Sequence, residues 1–258
     1  MFSHLHVHTE YSLLDGVGKA IDWIKKAKRL GQAHLALTNH ANIDGLIQFQ
    51  TISKKEGIKP ILGCELYVVP DMFDKKNKVR FHITTLIKNE VGFQNLCKML
   101  SLANLKGFYY KSRIDYQSIL DHCEGLVFLS GCSKTALIDA DGFEFLLQLY
   151  KQIKSDFYLE IQPHNFEQQK QVNAECINVH NDLGCKLVAT NDCHYINEED
   201  DILQEVLLAI QTKAKWDDPN RFKFKIKGLH LRSESEMYKA FLKQDILNES
   251  QIEYFYMF

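Results

Sequence analysis

Histidine and acidic residues recur in this chain at short spacings that suit metal ligation. The segment HLHVHTEYSLLDG contains His6 and His8, two residues apart, and Asp15 follows them. Towards the other end, VATNDCHY contains Asp192 and His194 at the same spacing. On a β-strand, side chains two residues apart point to the same face, so each pair can bind one metal ion.

Four further residues with metal-binding side chains lie within or after predicted strands. They are His40 in ALTNH, Glu65 in GCELYV, His82 in FHITTL and Cys132 in LSGC. Five imidazoles, three carboxylates and a thiol would be costly to bring together without cations, because their charged forms would be desolvated and the carboxylates would repel one another. Mixed nitrogen and oxygen ligation suits Zn²⁺, Mn²⁺ or Fe²⁺ better than Mg²⁺. His82 or Cys132 taken alone would be weak evidence.

The elements that must position these residues alternate between strand and helix. Short runs rich in Ile, Leu and Val predict seven strands, at 2–8, 34–39, 60–69, 81–88, 125–130, 157–162 and 186–190. Helical spacing predicts a first helix with Ile21, Ile24, Ala27 and Leu30 on one face and a cap at Gly31, and further helices at 45–56, 92–103, 143–154, 167–183 and 198–212. The pattern is typical of βα units around a mainly parallel sheet, and seven strands favour a closed barrel, in which active-site residues gather at the carboxyl ends of the strands.

The pattern changes near residue 215. We predict that residues 1–214 form the barrel and that 215–258 form an appendix with a loop, an alternating strand at 221–227 and a helix. The helix begins at a capping box of Ser233 and Glu236. The basic face of the strand could follow a nucleic-acid backbone, but lysines on an edge strand more commonly prevent aggregation. The aromatic ending IEYFYMF either packs on the barrel or continues elsewhere.

Composition excludes several protein classes. The formal net charge of −2 lacks the basic excess of a protein that binds nucleic acid over much of its surface. No apolar run is long enough for a membrane span, and MFSHLHVHTE has no signal-peptide core. The seven cysteines show no framework spacing, which indicates reduced thiols and predicts a cytoplasmic protein.

Five ordered motifs together resemble the PHP (polymerase and histidinol phosphatase) domains of bacterial DNA polymerase III alpha subunits. They are HLHVHTEYSLLDG, GIKPILGCELYV, GFQNLCKMLS, VATNDCHY and DDPNRFKFKIKGLHL. The resemblance implies a distorted TIM-like (β/α)7 barrel with a small C-terminal appendix and a trinuclear site. The implied ligands are His6, His8, Asp15, His40, Glu65, His82, Cys132, Asp192 and His194. Of these, the residues assigned to catalysis are His8, Glu65, Asp192 and His194.

The resemblance also implies a function and partners. It implies a 3′–5′ exonuclease that acts on a DNA 3′ end, uses on the order of two to three divalent ions, and works beside a polymerase core or other replication proteins. No polymerase activity is expected from this chain alone. Two alternatives stay open: a small-molecule phosphatase of the histidinol-phosphate type, and an inert, metal-stabilised scaffold. Asn39, where the family usually has Asp, favours the scaffold because it replaces a carboxylate next to the ligands.

Several other polar residues are predicted to lie outside the site. Cys193 lies between Asp192 and His194 and should face away from the ligands, and His4 starts the first strand, low in the barrel. Lys111, Arg113 and His164 could contact phosphate, but solvated loops are the favoured interpretation.

Overall fold

The computed structural model describes residues 2–224 and 226–244. Within these ranges the chain forms seven β-strands, numbered β1 to β7 in order: His34–Leu37, Lys59–Val69, Phe81–Ile87, Arg113–Asp115, Leu126–Leu129, Phe157–Ile161 and Lys186–Ala189. The same ranges contain eight α-helices, α1 to α8: Ala20–Arg29, Leu46–Glu56, Glu90–Leu105, Tyr116–Asp121, Ala140–Ile153, Glu167–Leu183, Asp201–Gln211 and Glu234–Leu242. The protein is therefore mixed α/β, as predicted. Among the described residues, no helix combines the length and apolar character needed to cross a membrane.

The predicted first strand, at residues 2–8, is wrong as a regular strand. This segment forms only isolated bridges, between His4 and Leu35 and between Val7 and Cys193. The N–H groups of residues 36 and 38 donate to its carbonyls at 4 and 7, whereas the N–H of Cys193 donates to the carbonyl at 6. Because the segment divides its hydrogen bonds between two partners, it builds a continuous ladder with neither.

The chain divides into two compact units. The first comprises Met1–Leu62, Pro163–Phe166 and Thr190–Phe258, and the second comprises Gly63–Gln162 and Glu167–Ala189. The division of the sequence into a barrel at 1–214 and an appendix at 215–258 stays a prediction.

The first unit contains β1, which pairs in parallel with the first four residues of β2, and the predicted helix α1. Helix α1 buries Trp23, Ile24 and Ala27 completely. Leu30 is its C-terminal cap and Gly31 follows with φ of 72°, a left-handed conformation that glycine adopts without strain. The helical spacing and the glycine stop therefore locate this helix correctly.

The C-terminal part of the first unit differs from the prediction. None of the described residues between 221 and 227 lies in a strand, and residues 225 and 252–258 lie outside the described part. Arg221 is buried, donates to Glu205 at 2.6 Å and lies 4.1 Å over the Trp216 ring, so it does not belong to a solvated basic face. The capping box is confirmed, because Ser233 and Glu236 exchange hydrogen bonds at the start of α8.

The second unit contains a sheet in the order β2, β3, β5, β6, β7, with β4 paired to β2. Strands β5, β6 and β7 are parallel, but β3 is antiparallel to both β2 and β5. The prediction of a mainly parallel sheet was thus wrong for β3. The segment 70–80, which connects β2 to β3, contains no helix. A short connection of this kind joins antiparallel strands, whereas neighbouring parallel strands need a longer crossover. The sequence did not predict β4 or α4.

Candidate metal centres

Six of the nine predicted ligands gather in the first unit. We call them the six-residue cluster: His6, His8, Asp15, His40, Asp192 and His194. The residue 2–8 segment supplies two fully buried histidines, whose ring centroids lie 5.0 Å apart. The remaining members come from loops that follow the 2–8 segment, β1 and β7.

Asp192 connects the two histidines of the HxH motif. Its Oδ1 lies 3.3 Å from His6 Nε2 and 3.2 Å from His8 Nε2. Strand β7 ends at Ala189, so Asp192 lies in a loop, with φ of 47°. A left-handed backbone at a residue other than glycine costs energy and persists where the surroundings impose it. The direction of this carboxylate therefore comes from a constrained turn and not from strand alternation.

Asp15 holds the second pair of histidines. Its Oδ2 lies 3.0 Å from His40 Nε2 and 3.6 Å from His194 Nε2, and its Oδ1 accepts a hydrogen bond from Gln204 at 3.2 Å. The His8 ring contacts both histidines: its centroid lies 4.2 Å from the tilted His40 ring and 4.4 Å from the stacked His194 ring. The four groups thus form one contiguous polar cluster.

The two carboxylates are held in their charged form by the imidazoles around them. Burial raises the pKa of Asp15, but His194 and His40 outweigh it and hold this pKa well below its usual range. Burial also opposes ionisation of Asp192, and His6 and His194 lower its pKa overall. Burial lowers the pKa of His194, but the two carboxylates raise it more. Two partly buried anions at neutral pH create a site that attracts cations.

A hydrogen-bond relay fixes the tautomer of His8. Thr9 N–H donates to Asn39 Oδ1 at 2.8 Å, which identifies that atom as the oxygen, and Ser12 Oγ donates to it at 3.1 Å. With its proton so committed, Ser12 Oγ accepts from His8 Nδ1–H at 2.8 Å and from His40 N–H at 3.1 Å. His8 Nε2 therefore carries the lone pair that a metal ion needs.

The donor set of this cluster fits transition-metal ions. The ring nitrogens of His8, His40 and His194 lie within 4.8 Å of one another, and so do the donor atoms of His6, His8 and Asp192. The relay makes the lone pair of His8 Nε2 face the Asp192 carboxylate across 3.2 Å, an arrangement that a cation between them would stabilise. Imidazole nitrogen combined with carboxylate oxygen is the ligand set of zinc and related ions.

The other three predicted ligands meet in the second unit. His82 Nδ1 lies 2.9 Å from Glu65 Oε1, and Cys132 Sγ lies 3.8 Å from both atoms. All three side chains are buried. Gly131, with φ of 98°, allows this approach, since a Cβ there would overlap the His82 carbonyl oxygen. An imidazole, a carboxylate and a thiol form a donor set that borderline-soft ions accept.

Cys193 and His4 lie together, away from the predicted ligands. Cys193 Sγ is 3.3 Å from His4 Nδ1 and 3.3 Å from the His230 carbonyl oxygen, and burial raises the pKa of its thiol. His4 Nε2 lies 2.8 Å from the Arg232 carbonyl oxygen, and burial lowers its pKa to about 4. Both side chains thus have structural partners, as hydrogen-bonded core residues usually do.

Two residues interpreted as parts of solvated loops are buried instead. Arg113 is 2% exposed, and its guanidinium donates to the carbonyls of Gly107 and Met72. His164 is 3% exposed, and its Nε2–H donates to the Asn191 carbonyl at 3.2 Å. The solvated-loop prediction was wrong for both, because each satisfies backbone carbonyls that the sequence pattern did not reveal. Lys111 is half-buried.

Three residues around the predicted ligands have contacts that the sequence did not predict: Ser12 and Gln204 were given no role, and Asn39 was expected to weaken the site. Ser12 and Asn39 form the relay, and Gln204 in α7 donates to Asp15. Ser12 follows His8 by four residues and Asn39 precedes His40, so adjacency to a ligand was an available signal for these two. Gln204 is 189 residues from Asp15, and no local pattern could have linked them.

With this geometry in place, comparison with known proteins decides the family. Residues 4–164 match the PHP domain. The chain belongs to the PHP family. Two curated relatives of this PHP chain are DNA polymerase III subunit alpha proteins: that of Borreliella burgdorferi is 42% identical and that of Treponema pallidum is 40% identical, each over 93% of the chain. The alignments cover 22% of each relative, so the PHP chain spans about a fifth of their length.

A solved structure shares the fold. It is a Bifidobacterium adolescentis protein that carries the provisional name of metal-dependent phosphoesterase, and the match covers 74% of the PHP chain and 87% of that protein. The TM-score is 0.52 and the sequence identity is 13%, so this likeness concerns the fold alone. The chain is thus a PHP domain related to DNA polymerase III subunit alpha, with a phosphoesterase-like fold.

Proposed function

We propose that this PHP chain is a metal-dependent phosphodiesterase that removes nucleotides from a DNA 3′ end, beside a polymerase core or other replication proteins. The observation that carries the proposal is the six-residue cluster, in which two ionised carboxylates and four imidazoles supply nitrogen and oxygen ligands. The similarity to DNA polymerase III subunit alpha supports DNA as the substrate and a cytoplasmic location. We further propose that all nine predicted residues are ligands.

Each part of the cluster has a role in this proposal. The site would hold on the order of two to three divalent cations per chain. Zn²⁺ or Mn²⁺ is preferred, and Fe²⁺ is a further candidate. When bound, these cations would supply Lewis-acid activation of the phosphoryl group and of the attacking water. His6, His8 and Asp192 present three donor atoms to one position, and the Ser12 hydroxyl keeps His8 in the ligating tautomer. Asp15 orients His40 and His194, and Gln204 orients Asp15. Together with Glu65 in the second unit, His8, Asp192 and His194 are the residues to which we assign catalysis.

Asn39 gives little support to an inert scaffold. Asn39 was expected to weaken the site, since an amide replaces the carboxylate that is usual in the family. Its Oδ1 nevertheless accepts from Thr9 N–H, from Thr9 Oγ1 at 3.2 Å and from Ser12 Oγ. These are the bonds that a carboxylate oxygen would accept, so the relay is complete with asparagine.

The decisive experiment is Asp192→Asn. Asparagine tolerates the left-handed backbone at this position, so the variant should fold while its ligand charge is lost. The wild-type chain should shorten 5′-labelled single-stranded DNA from its 3′ end in Mn²⁺ or Zn²⁺, and the variant should not. Asp44→Asn, at an exposed carboxylate, is the matched control and should cleave like wild type.

Other outcomes would replace the proposal. Rapid hydrolysis of histidinol phosphate without DNA cleavage would make the chain a small-molecule phosphatase. No activity on either substrate in protein shown by elemental analysis to be metal-loaded would make it a scaffold. Equal cleavage by wild type and Asp192→Asn would assign the activity to a contaminating nuclease.

A further inference from the structure

Two loops of the second unit are held side by side by one buried arginine. The first loop, residues 70–80, connects β2 to β3, and the second, residues 106–112, connects α3 to β4. The Arg113 guanidinium donates to the Met72 carbonyl at 2.9 Å and to the Gly107 carbonyl at 3.1 Å. A Cβ at Gly107 would overlap the Arg113 carbonyl oxygen, so glycine permits this packing. The relative position of the two loops is therefore built into the fold.

Both loops place a cation over the same aromatic ring. Arg80 Cζ lies 5.0 Å from the Tyr67 ring centroid, and Lys111 Nζ lies 5.8 Å from it. An aromatic ring attracts cations, so Tyr67 interacts with a cation from each of the two loops. Guanidinium and ammonium groups both bind phosphate.

The second loop also exposes two aromatic side chains. Phe108 is 58% exposed and Tyr110 is 81% exposed. Tyr110 has a left-handed backbone, with φ of 60°, and its ring lies 4.6 Å from the Tyr109 ring at an angle of 70°. A strained backbone that presents a large aromatic ring to solvent is typical of a binding position and contributes nothing to a core.

The charge of the first loop is opposite to that of the whole chain. Residues 70–80, PDMFDKKNKVR, contain four cations and two carboxylates, whereas the formal net charge of the chain is −2. Lys75, Lys76 and Lys78 are exposed. The positive charge is thus local, and it lies in the loop that carries Arg80.

These features adjoin the three predicted ligands of the second unit. The Tyr67 ring meets the His82 ring edge-on, with centroids 5.0 Å apart, and His82 contacts Glu65 at 2.9 Å. A phosphate bound by Arg80 or by Lys111 would therefore lie near a side chain that we propose as a ligand.

We propose that these loops form a binding site for single-stranded nucleic acid, which we call the basic–aromatic surface: Lys75, Lys76, Lys78, Arg80, Phe108, Tyr110 and Lys111. Phe108 and Tyr110 stack on bases, and Arg80 and Lys111 bind the backbone phosphates. Exposed aromatic rings interleaved with cations are how proteins bind single strands without sequence preference. The inference rests on the proposed function, because it names the substrate class of that site. A small phosphate monoester would have no use for the exposed rings.

Binding can be tested separately from catalysis. Fluorescence anisotropy of a fluorescein-labelled oligothymidylate with the 258-residue chain, in EDTA, measures affinity without hydrolysis. Tyr110→Ala should weaken binding at least about fivefold, whereas Tyr110→Phe, which keeps the ring, should bind like wild type. Lys111→Ala should lower the slope of log K against log salt by about 0.7, the value for one lost contact with a single strand. Lys54→Ala, at an exposed lysine of α2, is the matched control and should change neither quantity.

Three results would overturn the inference. They are failure of the wild-type chain to bind the oligonucleotide at low salt, equal binding by Tyr110→Ala and wild type, and equal loss in Lys54→Ala and Lys111→Ala. Thermal melting of each variant verifies the fold, and Phe108→Ala repeats the stacking test if Tyr110→Ala does not fold. Because the binding assay contains no metal, failure to bind the oligonucleotide would not contradict the proposed hydrolysis. Conversely, if Asp192→Asn loses hydrolysis but binds the oligonucleotide like wild type, the basic–aromatic surface is not contradicted. A wild-type chain that fails to bind nucleic acid would indicate a protein partner for these rings.

Discussion

The relay through Ser12 gives the sharpest test of how the six-residue cluster is organised. Ser12→Ala removes the acceptor of two N–H groups, the buried His8 Nδ1–H and the part-buried backbone N–H of His40, and removes one of the donors to Asn39. His8 is then free to adopt the other tautomer, in which Nε2 carries a proton and cannot bind a metal ion. We expect weaker metal binding and a smaller loss of stability than removal of a ligand would cause.

The magnitudes follow from the number of groups affected. Loss of a partner that orients a metal-bound histidine typically lowers metal affinity 10- to 100-fold, or about 1.4–2.7 kcal/mol. Each buried N–H left without an acceptor costs about 1–3 kcal/mol, which gives about 2–6 kcal/mol for two groups. Because the His40 N–H is only part-buried and His8 can change its tautomer, we expect the free energy of unfolding to fall by the lower part of this range, about 2–4 kcal/mol. This is less than the stability of a typical domain, so the variant should remain folded.

Isothermal titration calorimetry of metal-free protein with Zn²⁺ or Mn²⁺ measures the affinity, and urea denaturation measures the stability. Ser53→Ala is the matched control, because Ser53 is fully buried in the same unit and its hydroxyl has no hydrogen-bond partner among the described residues. Asn39→Asp should bind metal at least as tightly as wild type, since it keeps an acceptor oxygen in place. Wild-type affinity in a folded Ser12→Ala variant, or equal losses in Ser12→Ala and Ser53→Ala, would refute the relay.

Two further predictions concern metal removal and pH. A free metal concentration roughly a thousandfold above Kd stabilises the folded state by about 4 kcal/mol, so removing the metal with a chelator should lower the melting temperature by roughly 8–16 °C. Differential scanning calorimetry measures this shift. Coincident melting curves after confirmed metal removal would contradict the prediction. Burial lowers the pKa of His164 to about 4, so the unfolded chain binds a proton that the folded chain excludes, and stability should fall as the pH drops from about 6.5 towards 4. In metal-free protein His164→Gln should remove up to about 3 kcal/mol of this dependence, measured by urea denaturation at several pH values, and an unchanged slope would contradict the assignment.

Much of the fold could be predicted because the signals are local. The helical spacing of Ile24 and Ala27 with the stop at Gly31 located α1, and the capping box at Ser233 located α8. Runs of β-branched and aliphatic residues located six of the strands. Strand β4 was missed because it has only three residues, too few for a periodic pattern to appear.

The candidate site was predicted residue by residue, but not for the geometric reason first given. The HxH and DxH spacings indicated paired ligands on regular strands, whereas His6 and His8 lie in a bridged segment and Asp192 lies in a left-handed turn. The side chains meet nonetheless, because residues from separate loops converge on the same cluster.

The sequence by itself determined which residues have ligand chemistry, since side-chain type is a property of each residue. It also predicted most of the helices and strands in their order, since periodicity is local. Only the tertiary structure decided which predicted ligands meet, that β3 runs antiparallel, that Ser12 fixes the tautomer of His8, and that Arg113 is buried where it joins two loops. These features depend on hydrogen bonds between residues far apart in the chain or on the direction of a single side chain. Neither leaves a periodic trace in the sequence, because each is set by the complete packing of the chain.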